Sequence, residues 1–118
     1  MQFDRFTVVL LMLRPDSPQL DDAAAAALQD AHLDHLAKLH ENGHLLAAGP
    51  FMGGDEEIYR GLCILNVDAD KALELCGRDP AVIAGRFSVK ILPWMLPGGA
   101  VSFSPSRFPH SLAEAMEP

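Results

Sequence analysis

The sequence predicts an α+β domain of ferredoxin-like type, with an antiparallel sheet and helices on one of its faces, ordered βαββαβ. Three observations lead there. Short apolar runs of strand length alternate with longer helical stretches in the order strand, helix, strand, strand, helix, strand. The strands are apolar on both sides, as buried strands are. Glycine, proline and aspartate stand at the joints.

Phe3 to Leu13 reads as the first strand, with six apolar residues in a row from Val8, and Arg14-Pro15 ends it. Ser17 as N-cap and Pro18 at the first helical position predict a helix start, supported by Asp21 and Asp22 in the first turn. An alanine-rich stretch carries that helix to about Asn42, where Gly43 is a natural cap. His44 to Ala48 is a short strand stopped by Gly49-Pro50, and Gly53-Gly54-Asp55 marks a loop. Arg60 to Val67 is the third strand. Asp68 caps a second helix, Ala69 to Cys76, closed by Gly77. Asp79-Pro80 opens a short helical turn ending at Gly85. Arg86 to Leu92 is the last strand, stopped by Pro93-Trp94. The domain is therefore residues 1–95, and residues 96–118 form a Ser/Pro/Phe tail. Val101, Phe103 and Phe108 predict that the tail packs on the domain, and Ser111 to Met116 reads as a terminal helical turn.

The chain has 118 residues, enough for one ordinary core. A net charge of −7 and pI near 5.0 argue against nucleic acid and anionic membranes as partners. No run approaches a membrane span, and the Thr7–Leu13 run is flanked too closely by charge to be a signal peptide. Cys63 and Cys76 read as buried small apolar residues at no zinc-site spacing. A cytoplasmic protein is expected. Two helices cover only one face of a sheet that is apolar on both. A second copy packed face to face satisfies the other, so a homodimer is expected.

Four of the five histidines crowd into AHLDHLAKLHENGHLLAAGP, Ala31 to Pro50. On a helical wheel His32 joins Leu28, Leu36 and Leu39 on the core-facing stripe, with Ala25 and Asp21 on the same line. Asp30, Asp34, Lys38 and Glu41 fall opposite, on a face read as solvated, with Asp34 and Lys38 paired. His35 and His40 diverge from His32 to either side, so the cluster does not converge as metal ligands must, and no metal is expected. His35, His40 and His44 read as helix flank, helix end and strand start. His32 is either a hydrogen-bonded core histidine or a proton-transfer group. The second reading needs an orienting carboxylate and a pocket. Asp79, beside the second helix, is the candidate carboxylate. It is equally an ordinary turn or cap residue.

Together these residues resemble the YciI-like (YCII-related) family over about Phe3 to Trp94. The match is carried by His32, the turn Leu36–Leu39–His40, Gly43 and Leu45, Ala48-Gly49-Pro50, Asp79-Pro80, Ala84-Gly85 and Pro93-Trp94. The resemblance implies a dimeric α/β barrel with a His–Asp dyad, carried onto His32 and Asp79, in a pocket between helices and sheet. It also implies kinship with a dehydrochlorinase acting on a chlorinated hydroquinone. The chain departs from the family at Ala81, where relatives often carry an aromatic residue, and in its longer tail, placed to cover or reshape the pocket.

A carboxylate on one ring nitrogen fixes the tautomer and leaves the other nitrogen free to take a proton. No nucleophile sits in a motif, and Gly53-Gly54 lacks the lysine and helix of a phosphate loop. The expected chemistry is cofactor-free acid–base isomerisation or elimination, of lyase or dehydrochlorinase type, on a small molecule. Gly49, Phe51, Gly85 and Trp94 are candidate pocket walls. The competing readings are a non-catalytic small-ligand or regulatory module, and a cofactor-free oxygenase on the related barrels.

Overall fold

A computed structural model describes the whole chain, Met1 to Pro118. Its elements are β1 (Phe3–Leu13), α1 (Asp22–Glu41), β2 (Leu45–Pro50), β3 (Tyr59–Leu65), α2 (Ala69–Gly77), α3 (Pro80–Ile83), β4 (Phe87–Pro97) and α4 (Leu112–Ala115). The four strands form one antiparallel sheet in the order β2-β3-β1-β4. That is the ferredoxin-like α+β arrangement expected of the sequence.

The central strand β1 alternates strictly. Thr7, Val9 and Leu11 turn inward and are buried, while Phe6, Val8, Leu10 and Met12 turn to the outer face. Cys63 and Leu65 of β3 and Phe87 of β4 complete the inner face, on which α1, α2 and α3 close the core with Leu39, Ala72, Leu75 and Ala81. Leu65 is fully buried. Leu65→Ala should cost about 2–5 kcal/mol of stability through lost burial and a residual cavity, read as a lower denaturant midpoint at unchanged slope.

Several boundaries differ from the sequence reading. β2 does not stop before Gly49-Pro50 but runs through both, which pair with Leu62 and Gly61 of β3. β3 spans Tyr59–Leu65 and ends before Val67. α1 starts at Asp22, not Pro18, because Asp21 is the N-cap: its carboxylate accepts the Ala24 N–H at 2.8 Å. Ser17 instead donates its N–H to Arg14 O at 3.1 Å, closing a turn that the Arg14–Asp16 ion pair braces. Gly77 lies inside α2, which is capped at Arg78. β4 does not stop at Pro93 but runs to Pro97, pairing residue by residue with β1 from Leu13↔Phe87 to Phe3↔Pro97. An edge strand accepts proline because the missing N–H can lie on the side that has no neighbour. The expected boundary between residues 95 and 96 therefore falls within this strand.

Other local readings stand as expected. Gly43, at φ +86°, follows the end of α1. Asp68 caps α2 by accepting the Lys71 N–H at 2.8 Å. The tail packs against the domain: Phe103 meets Phe6 edge-on at 5.3 Å, and Ser111 caps α4.

The α1 face read as solvated is in part covered. Lys38 pairs with Asp34 at 2.8 Å as expected. The tail also docks there: Leu112 donates its N–H to Asp30 at 2.7 Å, and His110 reaches Asp34 and Glu41. Conversely Asp21 and Ala25, on the line of the core stripe, are exposed.

Candidate active site

α1 presents His32 to the core at 6% exposure, beneath Phe87 of β4, whose ring meets the imidazole edge-on at 5.8 Å. α3 presents Asp79, 1% exposed, as its N-cap. Pro80 sets the first helical residue, and Asp79 Oδ1 accepts the Ala81 N–H at 2.9 Å. The other carboxylate oxygen, Oδ2, accepts from His32 Nδ1–H at 2.6 Å. The two residues, 47 apart in sequence, thus meet as a buried hydrogen-bonded pair. The short α3 turn explains how: its cap holds the carboxylate at a fixed angle beside α1.

With Nδ1–H donated to the carboxylate, Nε2 of His32 carries the lone pair. No fully buried side-chain nitrogen or oxygen lacks a partner anywhere in the chain. Nε2 has no protein partner, so it retains access to open space. That space is a cavity of about 270 Å³ between α1 and the inner sheet face, lined by His32, Gln29 and Leu36 of α1, Gly61 and Cys63 of β3, and Phe87. Its walls are mainly apolar. Arg60 is the one permanently charged residue among them. Gly61 forms part of the floor, and a methyl there would stand 3.3 Å from Gly49 O and 3.6 Å from Leu11 Cδ1.

Of the expected wall residues, Gly49 lines this cavity. Phe51, Gly85 and Trp94 do not. Trp94 pairs with Phe6 on the outer face of the sheet, 6.2 Å between ring centroids. Phe51 shares an outer groove with Leu10 and Tyr59. Gly85, at φ +80°, ends the α3 turn. The remaining histidines are engaged elsewhere. His35 Nε2–H donates to Leu75 O at 3.0 Å, and His40 Nδ1–H donates to Leu45 O at 2.6 Å. No three histidine, cysteine, aspartate or glutamate side chains come together as a metal site.

Sequence reasoning missed Gln29, Arg60, Gly61 and the tail pair Phe108–Pro109, all of which line the cavity. Gln29 and Gly61 are legible only once the helix and strand registers are known. Phe108 and Pro109 come from a segment with no periodicity to read.

The thiols are poor nucleophiles. Burial pushes Cys63 far up, with Cys76 and Asp79 adding to it, and burial pushes Cys76 up to about 12, with Asp79 adding. Both cysteines are free. The cavity's chemistry therefore rests on the imidazole rather than on thiolate attack. Alkylating reagents that label exposed cysteines within minutes at neutral pH should leave both thiols unmodified in the folded chain, as read by intact mass.

In fold, the chain is similar to 5-chloro-2-hydroxyhydroquinone dehydrochlorinase from Burkholderia phenoliruptrix, whose structure was determined in complex with 2,5-dihydroxybenzoquinone. The TM-score is 0.54 at 22% identity, covering 75% of this chain and 92% of that one. No curated protein matches the sequence. No helix is long and apolar enough to cross a membrane. The model of the YCII-related domain matches residues 7–95, three-quarters of the sequence and every strand and helix that builds the His32–Asp79 pair, and the chain belongs to that family.

Proposed function

We propose that the protein is a cofactor-independent lyase or isomerase in which the His32–Asp79 pair moves protons on a small, cyclic, oxygenated substrate held in the cavity beside His32. One observation carries the reading: a buried carboxylate holds Nδ1–H of His32 at 2.6 Å while the opposite ring nitrogen opens into an apolar cavity. That is the arrangement of a general base with its orienting group.

In an elimination, Nε2 takes a proton from a substrate hydroxyl or an activated carbon. The electron pair left behind shifts through the conjugated ring, the imidazolium returns the proton to the ring carbon that bears the leaving group and makes it tetrahedral, and removal of a second hydroxyl proton then expels the leaving group with the electrons of its own bond, leaving a quinone. Chloride loss is one such case, and the dehydrochlorinase of like fold supports that class. An isomerisation uses the same first step and returns the proton at another atom. Asp79 stabilises the imidazolium formed in between. Apolar walls hold the ring, Gly49 admits it close to the backbone, and Arg60, whose guanidinium donates to Glu57 O and Asp55 O, adds a fixed positive charge that favours a substrate bearing an oxyanion or carboxylate.

The working unit is a homodimer joined through the outer sheet face, to which Phe51 and Trp94 belong. Small molecules, rather than nucleic acid or membrane, are the partners of a chain with net charge −7. Two free, buried cysteines suit the reducing cytoplasm.

The test is a screen of hydroxylated and chlorinated benzenes, followed by ring absorbance and chloride release, with His32→Ala alongside. Turnover by the native protein and none by the variant is expected. Tight binding of ring compounds with no turnover would instead identify a ligand-binding module.

A further inference from the structure

The segment after β4 lies outside the residues matched by the family domain, yet it supplies a wall of the cavity. Phe108 and Pro109 line the space beside His32. Phe108 is held there by stacking on His40, with centroids 4.0 Å apart and planes 11° from parallel. The His40 ring is itself fixed: Nδ1–H donates to Leu45 O, and Nε2 accepts the Ser106 N–H at 3.1 Å. Two residues beyond Phe108, both ring nitrogens of His110 meet carboxylates, Asp34 at 2.6 Å and Glu41 at 2.9 Å. An imidazole that donates from both nitrogens is an imidazolium. Leu112 N–H completes the attachment at Asp30.

We propose that the C-terminal segment is the roof of the His32 cavity, in which Phe108 is a specificity-determining residue that selects planar rings and His110, clasped by Asp34 and Glu41, is the latch that positions it. The inference rests on the proposed reading of the cavity as the substrate site. A flat aromatic ring in the wall of the cavity favours a flat ligand, because offset stacking rewards parallel faces.

The latch has a defined pH response. Its hydrogen bond to Asp34 holds His110 above the ordinary histidine range, with Glu41 adding to this against partial burial. Docking is thus fully supported below the ordinary value of about 6.5 and weakens as pH rises through the raised one. The other charged groups around the latch are Asp30 and Lys38 on α1, and Arg107, Glu114 and Glu117 on the tail. Arg107 and Lys38 keep their charge across neutral pH, and Lys38 and His110 hold Asp34 ionised. The His110 backbone N–H and then Arg107 hold Glu114 ionised too, and His110 is the latch group whose ordinary value lies nearest neutral pH.

Three readouts on the full-length protein test this. The first is hydrogen exchange at the Ser106 and Leu112 amides, which the docked tail bonds to His40 and Asp30. His110→Gln and, independently, Asp34→Asn should each speed it about tenfold, the loss of one charge-assisted contact, with β1 amides unchanged. In the native chain, protection corrected for intrinsic exchange should fall as pH rises above the ordinary histidine value of about 6.5, and His110→Gln should flatten that profile. The second readout is labelling by methyl methanethiosulfonate. Cys63 lines the cavity and Cys76 does not, so His110→Gln and Phe108→Ala should each raise the rate at Cys63 relative to Cys76. The third is binding of 2,5-dihydroxybenzoquinone, which Phe108→Ala should weaken at least tenfold.

Unchanged exchange in both latch variants, or an unchanged pH profile, would overturn the latch. Faster exchange with no change at Cys63 would overturn the roof. Undiminished quinone binding by Phe108→Ala would overturn its selective role. A native chain that binds no ring compound, yet shows the exchange and labelling changes, would remove the proposed substrate class and leave the roof standing.

Discussion

Turnover should fall about 10²–10⁴-fold when His32 is replaced by alanine, the usual worth of a positioned general base. Asp79→Asn should cost a similar factor. The asparagine keeps one carbonyl oxygen where the aspartate has two acceptors. It can accept from Ala81 N–H or from His32 Nδ1–H, but it cannot serve both as the carboxylate does, at 2.9 and 2.6 Å. If the oxygen keeps the cap, the amide NH₂ faces Nδ1 and drives the histidine to the other tautomer. The nitrogen facing the cavity then carries a hydrogen and cannot accept a proton. The double variant should be little worse than either single one, because each removes the same function. Stability together with turnover separates this from a structural role. Asp79→Asn leaves a buried donor imperfectly paired and should cost about 1–3 kcal/mol, and His32→Ala, which leaves the buried Asp79 carboxylate with the Ala81 N–H alone, should cost at least as much with the chain still folded. A protein whose melting temperature falls in both variants while turnover is retained would show the pair to be a core hydrogen bond and nothing more.

The parts of this site that were legible in the sequence are those governed by local rules. His32 falls on the apolar stripe of α1 because helical periodicity fixes its direction, and its burial agrees. Asp79 carries the signature of a cap before proline, and the cap is what positions its carboxylate. The same local logic misled at Ser17, where Asp21, read as a first-turn residue, is itself the cap, and at Pro93, where a strand breaker is harmless at a sheet edge. Edge position depends on the order β2-β3-β1-β4, which only the folded chain sets. The tail was legible as a packing segment with a helical turn at its end, and as a departure from the family placed to cover the pocket, but its point of attachment was not. Its docking depends on His110 finding Asp34, 76 residues away, and no periodicity encodes such a pairing. The pocket walls failed for a related reason. Trp94 and Phe51 are large aromatics that look like pocket walls, but strand parity turns Trp94 outward, and Phe51 lies beside Leu10 on that same face.

That outward parity motivates the second large effect. Val8 stands at the centre of the outer face, opposite Ile64 on β3 and Leu92 on β4. Phe6, Leu10, Met12, Leu62 and Trp94 surround it; Phe103 of the tail meets Phe6 at one end of the face, and the helices pack on the opposite, inner face. In the proposed homodimer this face is dry, so Val8→Glu would bury a carboxylate without a counter-ion. Two-fold symmetry would also bring its copy close, adding like-charge repulsion. An uncompensated buried charge costs several kcal/mol, so association should weaken about 100-fold or more. Light scattering should give twice the 12.8 kDa chain mass for the native protein at micromolar concentration, and the single-chain mass for the variant. A native protein of single-chain mass under those conditions would refute the dimer. The variant also separates assembly from chemistry. Val8 points away from the cavity, whose walls come from the inner face, the tail and the β2–β3 edge. A monomeric Val8→Glu chain that still binds ring compounds would place the whole site within one protomer. Loss of that binding, with the His32–Asp79 pair intact, would mean that the partner copy completes the cavity.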